Sequence, residues 1–255
     1  MGRIVAVANQ KGGVGKTTTA INLAAALAAL DHKVLLVDLD PQSNATSGLG
    51  FPKRGEGETV YGALLSGEAG PAVRQTEFPN LWLLPSGRDL VGAEIELVGY
   101  ENRESRLRFA LGPIRTAYDL LLIDTPPSLS LLTVNALTAA DSVLVPIQTE
   151  YFALEGLTDL LETVERVRNS FNPLLVMEGI VLTMFDERTN LARQVVEDIR
   201  QHLGNKVFET VIPRNVRLGE APSYGKPVLA YDIKSKGAEA YLALGREFLR
   251  RQKAK

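Results

Sequence analysis

Short aliphatic runs alternate along this chain with longer segments of helical character. The runs show no alternation of apolar and polar positions, which is typical of parallel strands covered on both faces. Predicted strands span residues 3–8, 33–38, 81–85, 119–124, 142–146, 179–184 and 207–211. Predicted helices span residues 19–30, 60–65, 90–98, 103–111, 154–167, 191–202 and 237–252. The order predicts an α/β fold with a mostly parallel, twisted sheet and helices on both faces.

A glycine-rich turn lies between the first predicted strand and the first predicted helix. It consists of Lys11, Gly12, Gly13, Val14, Gly15, Lys16, Thr17 and Thr18. Its glycines let the backbone curl so that successive N–H groups point at one anion, and the helix N-terminus adds partial positive charge. Lys16 is placed to reach the β- and γ-phosphates of a nucleotide, and the Thr17 hydroxyl to bind Mg²⁺. The turn therefore predicts a phosphate-binding loop.

Carboxylates stand where two of the predicted strands end. Asp38 ends the strand 33–38, Asp40 follows it directly before a proline, and Asp124 ends the strand 119–124. The carboxyl ends of parallel strands form the ligand-binding edge of such a sheet, so we expect these acids to face the phosphate loop. A carboxylate there can hold Mg²⁺ through water, or orient the attacking water. Residues 43–50, which follow, are interpreted as a polar loop.

Composition and charge exclude several classes of protein. The chain has no cysteine, which excludes disulfides, thiol catalysis and the thiolate-bound cluster of an iron–sulfur reductase with a similar loop. No apolar run reaches the length of a membrane span, and no signal peptide is evident, which fits a cytoplasmic protein. The net charge is -2, but residues 200–255 hold 12 Lys and Arg against 5 Asp and Glu, which is +7 and leaves -9 elsewhere. This asymmetry is compatible with a local basic face.

Several motifs resemble one known family. Gln10 stands where the general phosphate-loop pattern has its first glycine, and Lys11 is an additional lysine. The resulting Lys-Gly-Gly-Val-Gly-Lys-Thr resembles the deviant Walker A motif of the ParA/MinD superfamily of P-loop ATPases. Asp-Leu-Asp-Pro-Gln-Ser-Asn, Asp-Thr-Pro-Pro-Ser-Leu and Ile-Pro-Arg-Asn-Val-Arg (residues 212–217) resemble its further motifs, although Ser43 stands where relatives often have glycine. The likeness covers nearly the whole chain and favours the ParA branch.

The resemblance implies a catalytic constellation. Lys11, Lys16 and Asp40 would be the catalytic residues of an ATPase whose cofactors are ATP and Mg²⁺. Lys11 would reach across a nucleotide-sandwich homodimer to the partner's ATP, and Asp40 would position the attacking water. Mg²⁺ would be held by Thr17, Asp40 and Asp124. One domain is expected over residues 1–255, without the N-terminal DNA-binding domain of plasmid relatives.

The resemblance also implies an adenine pocket, a DNA face and a partner. Pro213, Arg214 and Asn215 would form the pocket, with Pro213 stacked on the base and Asn215 reading its amino edge. Arg188 and Arg217 would contact double-stranded DNA without sequence preference. The implied function is chromosome or plasmid partitioning on the nucleoid, with hydrolysis stimulated by a ParB-type centromere-binding protein.

Two alternatives stay open. Arg188 and Arg217 could instead pair with Glu187 and Glu220, as ordinary surface charges do. A MinD-like membrane-cycling regulator of division-site position would need a detachable, amphipathic last helix. The predicted helix 237–252 carries an apolar stripe of Tyr241, Leu244, Phe248 and Leu249. We expect this stripe to dock on the core, and therefore no stable membrane association.

Overall fold

The fold comes from a computed structural model that describes residues 2–53, 57–150 and 155–253, without the side chains of residues 155 and 156. The strands are β1 (Arg3–Val7), β2 (Val34–Asp38), β3 (Arg74–Gln75), β4 (Leu81–Leu84), β5 (Leu120–Asp124), β6 (Ser142–Gln148), β7 (Val176–Phe185) and β8 (Val207–Pro213). The helices are α1 (Lys16–Ala29), α2 (Asn44–Gly48), α3 (Val60–Ser66), α4 (Leu90–Glu96), α5 (Arg106–Leu111), α6 (Leu131–Ala139), α7 (Glu155–Ser170), α8 (Asn190–Leu203), α9 (Val216–Glu220), α10 (Val228–Tyr231) and α11 (Lys236–Lys253). The predicted helix start at residue 154 lies outside the described residues.

The strands form one sheet in the order β3-β4-β2-β5-β1-β6-β7-β8. Every neighbouring pair is parallel except the short β3 with β4. Asp124 is level with Val7 at the end of β1 and with Asp38 at the end of β2. This register brings the phosphate loop and the acids at the ends of β2 and β5 to one edge of the sheet. The prediction of a mostly parallel sheet is confirmed.

Two apolar clusters cover the two faces of the sheet. Successive side chains of a strand point to opposite faces, so Ile4 and Ala6 of β1 enter one cluster and Val5 and Val7 enter the other. All four side chains are almost fully buried. Helices pack against both clusters, as the unbroken apolar strands predicted.

The segment after β2 differs from its prediction. Residues 43–50 were expected to form a polar loop, but α2 lies within them and buries Ala45 and Thr46. Five residues are too few to show a helical periodicity in the sequence, so only packing against the core defines this helix. Ser43 precedes it with φ 53°, in the left-handed region that glycine adopts without strain.

The last helix is part of the core. Tyr241, Leu244 and Phe248 of α11 are fully buried, and α11 packs against α1 and β8. Packing against α1 is close, because a Cβ at Gly245 would lie 3.2 Å from the Cβ of Ala26. The prediction that this stripe docks on the core is confirmed. Within the described ranges, no helix is both long enough and apolar enough to cross a membrane.

Candidate nucleotide-binding site

The phosphate loop joins β1 to α1 at the edge where the strands end. Gly13 and Gly15 have φ 75° and 85°, a left-handed conformation that side chains with a Cβ rarely adopt. The space that a Cβ of Gly12 or Gly13 would enter is open, with no atom within 4 Å. Hydrogen bonds hold both ends of the loop, because the Lys11 N–H donates to Asn9 Oδ1 at 2.9 Å and the Thr183 hydroxyl donates to the Val14 carbonyl at 2.8 Å. The loop is thus a fixed, open cradle.

Lys16 begins α1 and lies over this cradle. Its Nζ donates to the Lys11 carbonyl at 2.9 Å, and its side chain is buried. Burial lowers the pKa of Lys16, while the negative charges of Asp124 and Asp40 act in the opposite direction. This arrangement leaves a buried ammonium near two carboxylates at the mouth of the loop.

Asp38 and Asp124 lie side by side on neighbouring strands, and both are fully buried. Burial raises the pKa of Asp38 to about 6, although hydrogen bonds from Thr46 oppose the shift. Burial, and then the charge of Asp38, raise the pKa of Asp124 well above its usual range. Two buried carboxyl groups on adjacent strands favour the presence of a cation, because the charge of Asp38 disfavours the ionised form of Asp124.

The surroundings of Asp124 fit a magnesium ion. Both of its carboxylate oxygens are buried, and neither meets the geometry of a hydrogen bond, although the Thr17 hydroxyl is near enough to lower its pKa. Among the residues that the structure describes, no cluster of three or more His, Cys, Asp or Glu could hold a metal alone. Mg²⁺ commonly takes only one or two protein ligands and completes its shell with phosphate and water oxygens. Thr17 and Asp124 suit that arrangement.

Thr46 and Ser86 connect the loop that carries Asp40 to the end of β4. Asp38 Oδ2 accepts hydrogen bonds from both the N–H and the hydroxyl of Thr46, each at 2.7 Å. The Thr46 hydroxyl in turn accepts from the Ser86 N–H at 2.9 Å, and the Ser86 hydroxyl donates to the Asp40 carbonyl at 2.8 Å. The Asp40 side chain accepts from the Gln42 N–H at 2.9 Å and is itself buried. The position of Asp40 is therefore set by a closed network of hydrogen bonds.

Sequence reasoning missed Thr46 and Ser86. Thr46 was assigned to a polar loop, and a serine after a strand carries no signal of its own. The one available signal was that Thr46 lies eight residues after Asp38 in the same connecting segment.

Lys11 lies on the outside of the loop and makes an ion pair within its own chain. Its ammonium contacts the Glu150 carboxylate, and each side chain is 37% exposed. Glu150 follows β6 and was not among the predicted site residues. Lys11 thus differs from Lys16, which points into the cradle and is buried.

A cavity of about 230 Å³ adjoins the phosphate loop at the predicted adenine position. Pro213, Arg214 and Asn215 line it together with Gly15 and Thr18. The structure therefore brings the two separate motifs together. The Asn215 Oδ1 accepts from the Arg217 N–H at 2.9 Å and caps α9, which leaves its second lone pair and its amide N–H groups for a ligand.

Met184 also lines the cavity, and sequence reasoning missed it. It has φ 54°, an uncommon conformation for a residue with a side chain, and conformations of this kind concentrate at ligand sites. No sequence pattern indicates this backbone conformation.

Arg188 and Arg217 are exposed and paired. Arg188 forms two hydrogen bonds with the Asp186 carboxylate, at 2.8 and 2.7 Å, and its side chain is 83% exposed. Arg217 contacts Glu220 at 2.7 Å and Asp232 at 3.2 Å. The ion pair of Arg217 with Glu220 is present, whereas Arg188 pairs with Asp186 rather than Glu187. Exposed pairs of this kind are weak and exchangeable.

A parallel sheet that presents a glycine-rich loop, a buried lysine and strand-end aspartates at one edge defines a P-loop nucleotide-binding protein. A family model described as AAA domain matches residues 2–177. The "Chromosome partitioning protein ParA" of Myxococcus xanthus is 57% identical over 100% of this chain and 90% of its own length. The "Chromosome-partitioning ATPase Soj" of Thermus thermophilus is 54% identical over 98% of this chain and 96% of its own.

A solved structure shares the same fold. Cobyrinic acid a,c-diamide synthase from Mycobacterium smegmatis, with bound ADP and magnesium, is 39% identical at a TM-score of 0.87 and covers 99% of this chain and 96% of its own. The chain belongs to the ParA/Soj family of chromosome-partitioning ATPases. The predicted family and the predicted ATPase activity are confirmed.

Proposed function

We propose that this chain is an ATP-controlled partitioning switch that uses Mg²⁺-ATP, forms a homodimer across its phosphate loops, and binds DNA without sequence preference. The observation that carries the proposal is the division of labour between two lysines of one loop. Lys16 is buried beside the carboxylates, whereas Lys11 is on the outer side, where a facing subunit can be reached. One lysine serves the nucleotide of its own chain, and the other serves that of a partner.

The residues of the site have distinct tasks in hydrolysis. Backbone N–H groups of residues 12–17 and the Lys16 ammonium bind the phosphates and offset their negative charge. Thr17 and Asp124 would hold Mg²⁺, which neutralises charge that develops on the phosphates during transfer. Asp40 would orient the attacking water, and it would also contribute to the outer shell of the metal ion. Pro213, Arg214 and Asn215 would enclose the adenine.

The DNA proposal follows from charge and dimerisation. A single chain has a net charge of -2, and Arg188 and Arg217 are partly neutralised by neighbouring acids. Each phosphate that a protein neutralises adds about 0.9 to the slope of log affinity against log salt. A dimer doubles the contacts, so weak binding by the monomer becomes useful binding by the ATP-bound dimer. The protein would thereby be held on the nucleoid in the cytoplasm.

A partner would release this state. We expect a ParB-type centromere-binding protein to stimulate hydrolysis, by ordering the loop that holds Asp40 or by adding a cation near the γ-phosphate. Hydrolysis would then dissolve the dimer and free the DNA. A MinD-like membrane cycle is not favoured, because the apolar side of α11 is buried against α1 and β8.

A DNA titration over salt concentration tests the proposal. The wild type with ATP and Mg²⁺ should bind a random duplex far more tightly than with ADP. Arg188→Ala or Arg217→Ala should weaken binding and reduce the salt slope by about 2 for a dimer that loses two contacts. Basal ATPase activity should persist in both variants. Arg168→Ala is the matched control, because Arg168 pairs with Glu165 at i,i+3 as Arg217 does with Glu220.

Two results of this titration would contradict different parts of the proposal. Equal DNA affinity with ATP and ADP would contradict the switch. A switch that survives both substitutions would place the DNA face elsewhere. Sedimentation velocity in the same buffers shows whether ATP produces the dimer.

A further inference from the structure

Helix α4 is apolar on two opposite faces. The inner face lies in the core and comprises Leu90, Ala93 and Leu97. The outer face consists of Val91, Ile95 and Val98, which are 61%, 77% and 61% exposed. These three residues, named here the outer stripe, follow the spacing i, i+4, i+7 and align along one side of the helix and of the turn that continues it.

Such a helix normally has both faces covered. A surface helix is expected to carry polar residues opposite its buried face. Single exposed aliphatic side chains are common, but a continuous stripe marks an interaction site more often. Within the described residues of this one chain, nothing covers the outer stripe.

Acidic residues outnumber basic ones in the segment that carries the outer stripe. Four carboxylates stand within or next to the helix, namely Asp89, Glu94, Glu96 and Glu101. Two arginines stand beside these four acids: Arg88 is exposed at the start of the helix, and Arg103 pairs with its neighbour Glu104 at 3.0 Å and donates to the Val98 carbonyl at 3.4 Å. The rim of the stripe is therefore negatively charged, and an oppositely charged ligand would be attracted to it.

We infer that the outer stripe docks a basic amphipathic segment of the ParB-type partner, an inference that rests on the partner in the proposed function. An amphipathic helix inserts apolar anchors at i, i+3, i+4 and i+7, a pattern that matches a stripe of three aliphatic residues. Lysines or arginines on the sides of such a segment would face the acidic rim. α4 begins four residues after Ser86, whose hydroxyl donates to the Asp40 carbonyl, so the docking helix is close in the chain to a residue that holds the water-positioning loop.

Charge disfavours the other occupants. A second copy of this chain would meet the stripe through a two-fold axis, which places the same acidic rim against itself. Three side chains are also too small an area for a stable dimer, which needs roughly 1,200 Å² or more. A membrane surface is usually anionic and would repel the rim.

The test uses the full chain with ATP, Mg²⁺ and a ParB-type protein from the same organism. Ile95→Gln should weaken partner binding, measured by biolayer interferometry, by about tenfold, the effect expected for a central apolar anchor. Glu101→Lys should weaken it in low salt and much less in high salt, because salt screens exposed charges. Leu174→Gln is the matched control, since Leu174 is 84% exposed and precedes β7 at the opposite end of the sheet. Basal ATPase activity and circular dichroism should be unchanged in all three.

Each other outcome has a distinct meaning. If the partner neither binds nor stimulates the wild type, the ParB-type partner in the proposed function is wrong. If the partner binds and stimulates the wild type and Ile95→Gln equally, the outer stripe is not its site and this inference alone is overturned. If Ile95→Gln abolishes concentration-dependent self-association and leaves partner binding intact, the outer stripe binds a second copy of this chain. If it abolishes binding of anionic vesicles and leaves partner binding intact, the outer stripe binds lipid.

Discussion

Lys11 and Glu150 form an ion pair on the outer side of the phosphate loop, within one chain. A lysine engaged in this pair has to leave Glu150 before it can contact a nucleotide bound by another subunit. Half-exposed pairs are worth at most about 1 kcal/mol, so a phosphate oxygen can readily displace the carboxylate. The pair therefore holds Lys11 in place at little cost to dimer formation.

The first prediction separates the two lysines of the loop. Lys11→Ala should retain nucleotide binding by the monomer but lose dimerisation and hydrolysis, because its cation acts on the partner's phosphates. Lys16→Ala should lose nucleotide binding itself, since the phosphate charge loses its main buried cation. Fluorescent-nucleotide titration and sedimentation velocity measure the two properties separately.

Glu150→Gln is the companion variant. It frees Lys11 without removing it, so ATP-dependent dimers should form as in the wild type or up to about fivefold more tightly, in line with the small worth of the pair. Normal dimerisation and turnover in Lys11→Ala would falsify the role in trans.

The second prediction concerns Asp40. Asp40→Ala should bind ATP and dimerise but hydrolyse ATP at least about 100-fold more slowly, because a water-positioning group acts in the transition state more than in binding. The dimer should accumulate and remain on DNA. Single-turnover phosphate release and size-exclusion chromatography with ATP provide the readout. A variant that stays monomeric, or that turns over normally, removes Asp40 from this role.

The third prediction tests the network that positions Asp40. Thr46→Val keeps the shape of the side chain but loses the hydroxyl that donates to Asp38 and accepts from Ser86. We expect kcat to fall about tenfold with little change in KM, and the free energy of unfolding to fall by about 1–3 kcal/mol. Thr46→Ser should restore kcat.

Thr138→Val is the control for this effect. Thr138 is also a buried threonine, but its hydroxyl has no hydrogen-bond partner. Its substitution should leave kcat unchanged. If both valine variants lowered kcat alike, or if Thr46→Ser failed to restore it, the loss would reflect general destabilisation of the fold.

The fourth prediction is a pH dependence of stability. Glu247 of α11 accepts hydrogen bonds from the N–H groups of Glu209 and Thr210, both at 2.8 Å, and pairs with Arg251. Burial opposes its ionisation, but these hydrogen bonds and the charge of Arg251 outweigh burial and lower the pKa below its ordinary value of 4.5. A lowered pKa in the folded state means that the stabilisation is present above pH 4.5 and is lost as the pH falls through the folded-state value.

Glu247→Gln should therefore lower Tm at pH 7, with a loss of about 1–3 kcal/mol, and the gap to the wild type should narrow below pH 4.5. Differential scanning calorimetry from pH 3.5 to 8 measures this directly. Glu165→Gln, which removes the acid of an exposed ion pair, should show the same dependence of Tm on pH as the wild type. A constant gap across the pH range would show that the ionised form of Glu247 contributes nothing.

Much of the fold and the loop could be predicted because their causes are local in the sequence. Unbroken aliphatic runs indicate covered strands. The glycines between Lys11 and Thr18 indicate the curled phosphate loop, because their backbone freedom acts locally. The acids at the ends of β2 and β5 could be predicted for the same reason, because the end of an aliphatic run is visible in the sequence. The position of Asp124 at the loop then followed from the general geometry of parallel sheets.

The tertiary structure decided what depends on residues distant in the chain. Thr46 and Ser86 are 40 residues apart, and Lys11 and Glu150 are 139 apart, so no local pattern marks either pair. The short helix α2 and the left-handed conformation of Met184 arise from packing rather than from propensity. Local chemistry therefore determined which residues could act, and long-range packing determined which of them meet, because side-chain contacts form only when the sheet brings its strand ends to one edge.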